Sequence, residues 1–129
     1  MREIKFKYKD MYGEWVYKRI LDHIYNVDQN TLCQCTGLKD INGKEIYEFD
    51  VLKTAFSNEP FGVVRWHDNG YFFIDCSVIP LQWNSSYRPL GEMVDTHIDG
   101  KPINIEVIGN IIDNPELFNK IKDKNEGRV

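Results

Sequence analysis

No stretch of this chain approaches the run of about 20 apolar residues that a membrane-spanning helix needs. The N-terminus also lacks the apolar centre of a secretory signal, because charged and apolar residues alternate after Arg2. A cytoplasmic protein that avoids membranes is therefore expected. Catalytic signatures are missing as well. The sequence has no glycine-rich phosphate loop, no nucleophile elbow and no histidine–glutamate pair at helical spacing. His23, His67 and His97 stand singly, and the three cysteines are too few for a zinc site built from short-spaced pairs. Cys33 and Cys35 share one strand face, being two residues apart, but the remaining thiol, Cys76, is alone. An odd number of cysteines without an export signal points to reduced thiols, so Cys33 and Cys35 are read as small buried strand residues. Among 20 acidic side chains any chosen pair of carboxylates is arbitrary. The expectation is a protein with no catalytic residue, no metal and no cofactor.

What the chain does have is charge, aromatics and alternation. Its 129 residues suit one domain with a core of its own. Aromatic residues make up 13%, which favours strands, because flat rings fill half-buried pleated surfaces. The net charge of −4 is unevenly spread. Residues 1–21 hold six basic side chains against three acidic ones, a net of +3, which leaves −7 on the remainder. Such a split can steer self-association or pairing with a charged partner.

Residues 3–9 alternate, with Ile4, Phe6 and Tyr8 on one face and Lys5, Lys7 and Lys9 on the other, the pattern of a half-buried strand with a solvated lysine face. A turn at Tyr12-Gly13 and a second strand over 14–19, carrying Trp15 and Tyr17, complete a first hairpin. Asp28-Gln-Asn30 reads as a polar turn, 31–36 as a strand ended by Gly37, and Asn42-Gly43 as a tight turn needing positive φ. A further strand is expected over 51–56. The clearest local signal is a hairpin around Asp68-Asn-Gly70. A two-residue loop sets Trp66 opposite Phe73. A three-residue loop, with Gly70 left-handed, sets Trp66 opposite Phe72 and Val64 opposite Ile74. The second register is preferred, since it buries Val64, Trp66, Phe72 and Ile74 together and leaves Arg65 and Asp75 outside. Residues 77–99 carry little pattern, and 83–88 read as a loop. A buried strand over 103–112 and a short helix from Asn114-Pro115-Glu116 follow, with 120–129 as a frayed tail.

The segment Thr36-Gly-Leu-Lys-Asp-Ile-Asn-Gly-Lys-Glu-Ile-Tyr-Glu-Phe-Asp-Val-Leu52 resembles a signature of the YopX-like family, small proteins of phages and prophages of low-GC Gram-positive bacteria. Met1-Arg-Glu-Ile-Lys-Phe6 and Glu106-Val-Ile-Gly-Asn-Ile-Ile-Asp-Asn-Pro-Glu-Leu117 are shorter matches to the same family. The resemblance implies an SH3-type β-barrel over residues 45–113, an N-terminal strand-rich segment (1–44) packed beside it, and a short helix and tail (114–129). It implies a bacterial host cell as the setting and supplies no activity. One residue departs from the family pattern: Phe49 stands where a glycine precedes Asp50, so the bend there is expected to be made differently.

A mainly β fold without catalytic motifs leaves two function classes. One is a protein-binding module of phage or prophage origin, a homo-oligomer or the partner of a phage or host protein. The other is a nucleic-acid-binding barrel whose basic and aromatic strip stacks bases and holds phosphates. The candidate contact residues are Lys5, Lys7, Lys9, Tyr12, Trp15 and Tyr17 in the N-terminal strip, with Trp83 and Tyr87 further along.

Overall fold

Two larger antiparallel sheets and a corner between them dominate the described residues, seen in a computed structural model that describes residues 4–19, 22, 27–60, 62–75, 87–91, 97, 98, 100–117 and 119. The first sheet contains β1 (Lys5–Lys9), β2 (Trp15–Arg19), β3 (Cys33–Lys39) and β4 (Glu45–Tyr47), in the order β2-β1-β3-β4. The second contains β5 (Asp50–Lys53), β6 (Gly62–His67), β7 (Tyr71–Asp75), β8 (Tyr87–Pro89) and β11 (Glu106–Asn110), in the order β11-β5-β6-β7-β8. The short strands β9 (His97–Ile98) and β10 (Lys101–Pro102) pair with each other. The fold class is mainly β, with a helical turn at residues 115–117. Among the described residues no helix is long and apolar enough to cross a membrane.

The signature segment makes the corner. Asp40 is buried, and its Oδ1 accepts the N–H groups of Asn42 and Lys44, closing the turn in which Gly43 sits at φ 80°. Its Oδ2 accepts from Val107 of β11, which ties the turn to the second sheet. The chain then crosses between sheets at residues 48–49. Glu48 N–H donates to Gln34 of the first sheet, and Phe49 N–H donates to Val64 of the second. Phe49 holds φ 72°, in the left-handed region a glycine would favour. The bend is therefore made as a glycine would make it, by a phenylalanine that two backbone hydrogen bonds and an apolar cluster hold in place.

Among the described residues, three clusters form the core. Ile46, Leu52, Val64, Ile74, Leu90, Ile103 and Ile105 lie between the sheets. Val51 and Val63, on the opposite face of the second sheet, are covered by Ile108, Ile111 and Leu117. Cys33, Cys35 and Tyr47 pack with Trp15, Phe49 and Ile112, so the two thiols are buried strand residues as expected.

The hairpin register matches the expectation: Trp66 faces Phe72, Val64 faces Ile74, and Gly70 takes φ 94° in a three-residue loop. Arg65 and Asp75 lie together on the outer face, 3.6 Å apart. Trp66 itself is a correction. It is 47% exposed rather than buried, because β5 pairs with β6 only alongside Gly62 and Val63 and the hairpin projects beyond it. The lysine face of β1 is a second correction. Lys7 is buried, since the rings of Trp15 and Tyr47 and the carboxylate of Asp50 close over its side chain. The strand expected over 51–56 ends at Lys53, leaving Phe56 exposed. That over 103–112 contracts to Glu106–Asn110, and Tyr87 and Arg88 belong to a strand rather than a loop. Cys76, most of 77–99 and the tail lie outside the described residues.

Candidate functional site

The three segments that resemble the family meet in space at the expected basic strip. Lys7 of β1 has Trp15 and Tyr47 around its ammonium, at 4.5 and 4.8 Å from the ring centroids. Its charge partner is Asp50 at the start of β5, with Nζ 3.9 Å from Oδ1, while Oδ2 accepts the N–H of Tyr47. Lys5 reaches Glu45 at 2.7 Å. Lys9 pairs with Asp113 beyond β11, and the same carboxylate accepts the indole N–H of Trp15 at 2.8 Å. Each lysine of the strip is thus spent on a carboxylate of the acidic body within the same chain. Cations committed in this way contribute little to phosphate neutralisation, the main source of nucleic-acid affinity.

The C-terminal match is built to present Asp113. Asn110 Oδ1 accepts the N–H groups of Ile112 and Asp113, and Asn114 Oδ1 accepts that of Asn110. A Cβ on Gly109 would lie 2.5 Å from Asn114 Oδ1, so a larger residue there would displace the Asn114 side chain that holds Asn110.

The electrostatics are those of a closed cluster. Burial pushes the Asp50 carboxyl up to about 6, against the opposing pull of the Tyr47 N–H and the Lys7 charge. Burial also acts on Asp113, but hydrogen bonds from Lys9, Trp15 and Asn110 outweigh it and hold that carboxyl below its usual range. The Lys5 hydrogen bond does the same for Glu45. Burial pushes the Cys33 thiol up to about 12, which makes it a poor nucleophile and a poor metal ligand at neutral pH. A cleft of about 370 Å³ opens over the cluster, with Lys7, Trp15, Tyr47 and Asp50 among its walls. Its aromatic pair is already filled by the chain's own ammonium. Among the described residues no group of three or more histidine, cysteine or acidic side chains is placed to hold a metal.

The other expected residues are dispersed. Tyr12 sits at the tip of the first hairpin and is 79% exposed; Tyr17 is 62% exposed on the edge strand β2, its ring edge-on to Tyr47. Tyr87 lies in β8, opposite Asp75. Trp83 falls outside the described residues.

A second place was not picked out as a site from the sequence. Trp66 stacks edge-on against Phe72, with ring centroids 4.9 Å apart, at the rim of a groove of about 280 Å³. Thr36 and Leu38 of the first sheet line it, opposite Phe72 and Leu90. Gly70 and Gly91 also border the groove, and added side chains there would meet open space. Period-two alternation assigned Trp66 to the correct face but carries no information on where the covering sheet stops. A usable signal was its place, one residue before the hairpin loop begins to turn.

No curated protein matches the chain. The model of the family described as YopX protein matches residues 1–119, which span the strip, the corner and the C-terminal turn alike. The chain belongs to the YopX family.

Proposed function

We propose that this YopX-family protein is a non-enzymatic protein-binding module of phage or prophage origin, working in the cytoplasm of the bacterial host. The observation that carries the reading is the half-exposed indole of Trp66 at a groove of mixed polar and apolar lining between the sheets. Large aromatics at shallow grooves are the commonest anchors of protein contacts. The phage setting rests on the resemblance of residues 36–52 and 106–117. The left-handed corner at Phe49 fits the SH3-type barrel which that resemblance implies for 45–113. The reading calls for no cofactor. Its partner is a phage or host protein, or a second copy of the chain. The nucleic-acid alternative weakens, because Lys5, Lys7 and Lys9 are engaged with Glu45, Asp50 and Asp113.

Affinity purification from phage-carrying host cells, with wild type and Trp66→Ala in parallel, tests the reading. At least one protein should co-purify with wild type and be lost from a Trp66→Ala variant with an unchanged circular dichroism spectrum. Light scattering identifies the case in which that protein is a second copy. Identical captures by both proteins, or a gel shift of single-stranded DNA by wild type at physiological salt, would overturn it.

A further inference from the structure

We infer that the groove beside Trp66 receives an extended segment of a partner protein, added as a strand along the end of β6 that no described strand pairs and carrying an apolar side chain next to a lysine or arginine. The inference rests on the binding-module reading and names the class of its partner. Three observations support it.

The first is backbone geometry. In an antiparallel ladder the N–H and C=O groups of successive residues point alternately to the two sides. His67 closes the hairpin, its C=O accepting from Gly70, and Val64 turns its C=O away from β7 to accept from Phe49. Trp66, two residues on from Val64, presents its N–H and C=O on the same outer side. β5 pairs with β6 no further along than Val63, and among the described residues no backbone group bonds to Trp66 there. A strand edge of this kind is completed by another extended chain.

The second is shape. The edge that no described strand pairs borders the groove at Trp66, and the groove's apolar walls are Leu38, Trp66, Phe72 and Leu90, beside the polar Gln34 and Thr36. In strand addition the main-chain bonds give affinity and pockets for alternate side chains give selectivity.

The third is charge. Glu48 stands next to the groove, accepting a long hydrogen bond of 3.4 Å from Gln34, which itself lines the groove. Burial raises its carboxyl, with only a partial offset from the Gln34 N–H and from Arg65, and the Arg65 guanidinium also faces Asp75. Asp68 lies in the adjacent hairpin loop, and the chain as a whole carries a net −4. A cation on the incoming segment relieves this imbalance, whereas an anion aggravates it.

The test uses the full chain and an array of short synthetic peptides with alternating apolar and polar positions. Each is made in a lysine-flanked form, a glutamate-flanked form, and a lysine-flanked form N-methylated at the central residue. The lysine form should bind about tenfold tighter than the glutamate form, and N-methylation should weaken it about tenfold, the effect of one lost backbone hydrogen bond. Trp66→Ala should remove binding, and Glu48→Gln should shrink the charge preference. Equal binding of the two charge forms, or indifference to N-methylation, would overturn the strand mode. So would the absence of any binding peptide while Trp66-dependent capture of a partner persists, an outcome that leaves the broader reading standing. A dimer abolished by Trp66→Ala would assign the groove to a second copy and overturn the inference too.

Discussion

At the scale of single residues, Phe49 and Asp50 carry the most unusual conditions. A left-handed backbone costs an L-residue about 1–2 kcal/mol, and at Phe49 the surrounding hydrogen bonds and packing offset it. Replacing Phe49 by alanine removes the packing and keeps the strain, whereas glycine removes both. Phe49→Gly should therefore be more stable than Phe49→Ala by about 1 kcal/mol in urea unfolding, the reverse of the usual order within a strand. Asp50 sets a pH dependence. Its folded-state value, about 6, lies above the ordinary 3.8. The folded chain therefore binds the proton more tightly than the unfolded chain. The resulting stability is complete below 3.8 and is lost as pH rises through about 6, with a size on the order of 3 kcal/mol. Glu45 and Asp113 act oppositely, since their lowered values lend stability that disappears only as pH falls through them. Urea midpoints from pH 4.5 to 7.5 should show wild type weakening across pH 5–7 more steeply than Asp50→Asn; parallel curves would show that the Asp50 carboxyl is not under strain.

At the scale of elements, the β6–β7 hairpin divides at Val64 and Ile74 into a buried stem and a projecting end. Ile74→Ala should cost about 2–5 kcal/mol, the range for a core aliphatic. Trp66→Ala should cost about 1 kcal/mol, because half of the indole is already in water. A comparison of the two by chemical unfolding checks the division. Asp40 makes the second element-scale prediction. Its carboxylate accepts three backbone N–H groups, two from its own turn and one from distant Val107, so Asp40→Ala should cost about 3 kcal/mol or more, while Asp40→Asn should keep part of the loss in check. The first hairpin and the register of the β6–β7 hairpin were legible in the sequence because alternation and turn chemistry are local, whereas β8 and the ends of β3, β5 and β11 were not. The fate of the lysines was not. Lys7 alternates like a solvent-facing residue, and its burial depends on Tyr47 and Asp50, some forty residues away. The groove was equally hidden, since it lies where one strand outruns its neighbour, and strand ends are the least legible feature of a sequence. The special role of Asp113 also depended on a partner far along the chain, Trp15.

At the scale of the whole molecule, the positive N-terminus and negative remainder turn out to be complementary halves of one chain. Reversing the three strip lysines to glutamate should consequently lower the melting temperature before it alters any assembly. Lys7→Glu should be the most damaging by about 3–5 kcal/mol, because it sets a buried carboxylate against Asp50. Lys5→Glu should cost about 1 kcal/mol or less, its pair being part-exposed. Single-variant melts in low and high salt test this order, and equal losses at Lys5 and Lys7 would contradict it. The bond from Trp15 to Asp113 joins residues 98 positions apart. On the ribosome that distance becomes time. The first hairpin leaves the exit tunnel about a hundred residues ahead of the carboxylate that holds both Trp15 and Lys9. Nascent chains arrested before Asp113 should expose their N-terminal sheet to protease, and chains carried on by an added linker until the 110–114 turn has emerged should resist it, so that this turn acts as the clasp on a fold begun about a hundred codons before.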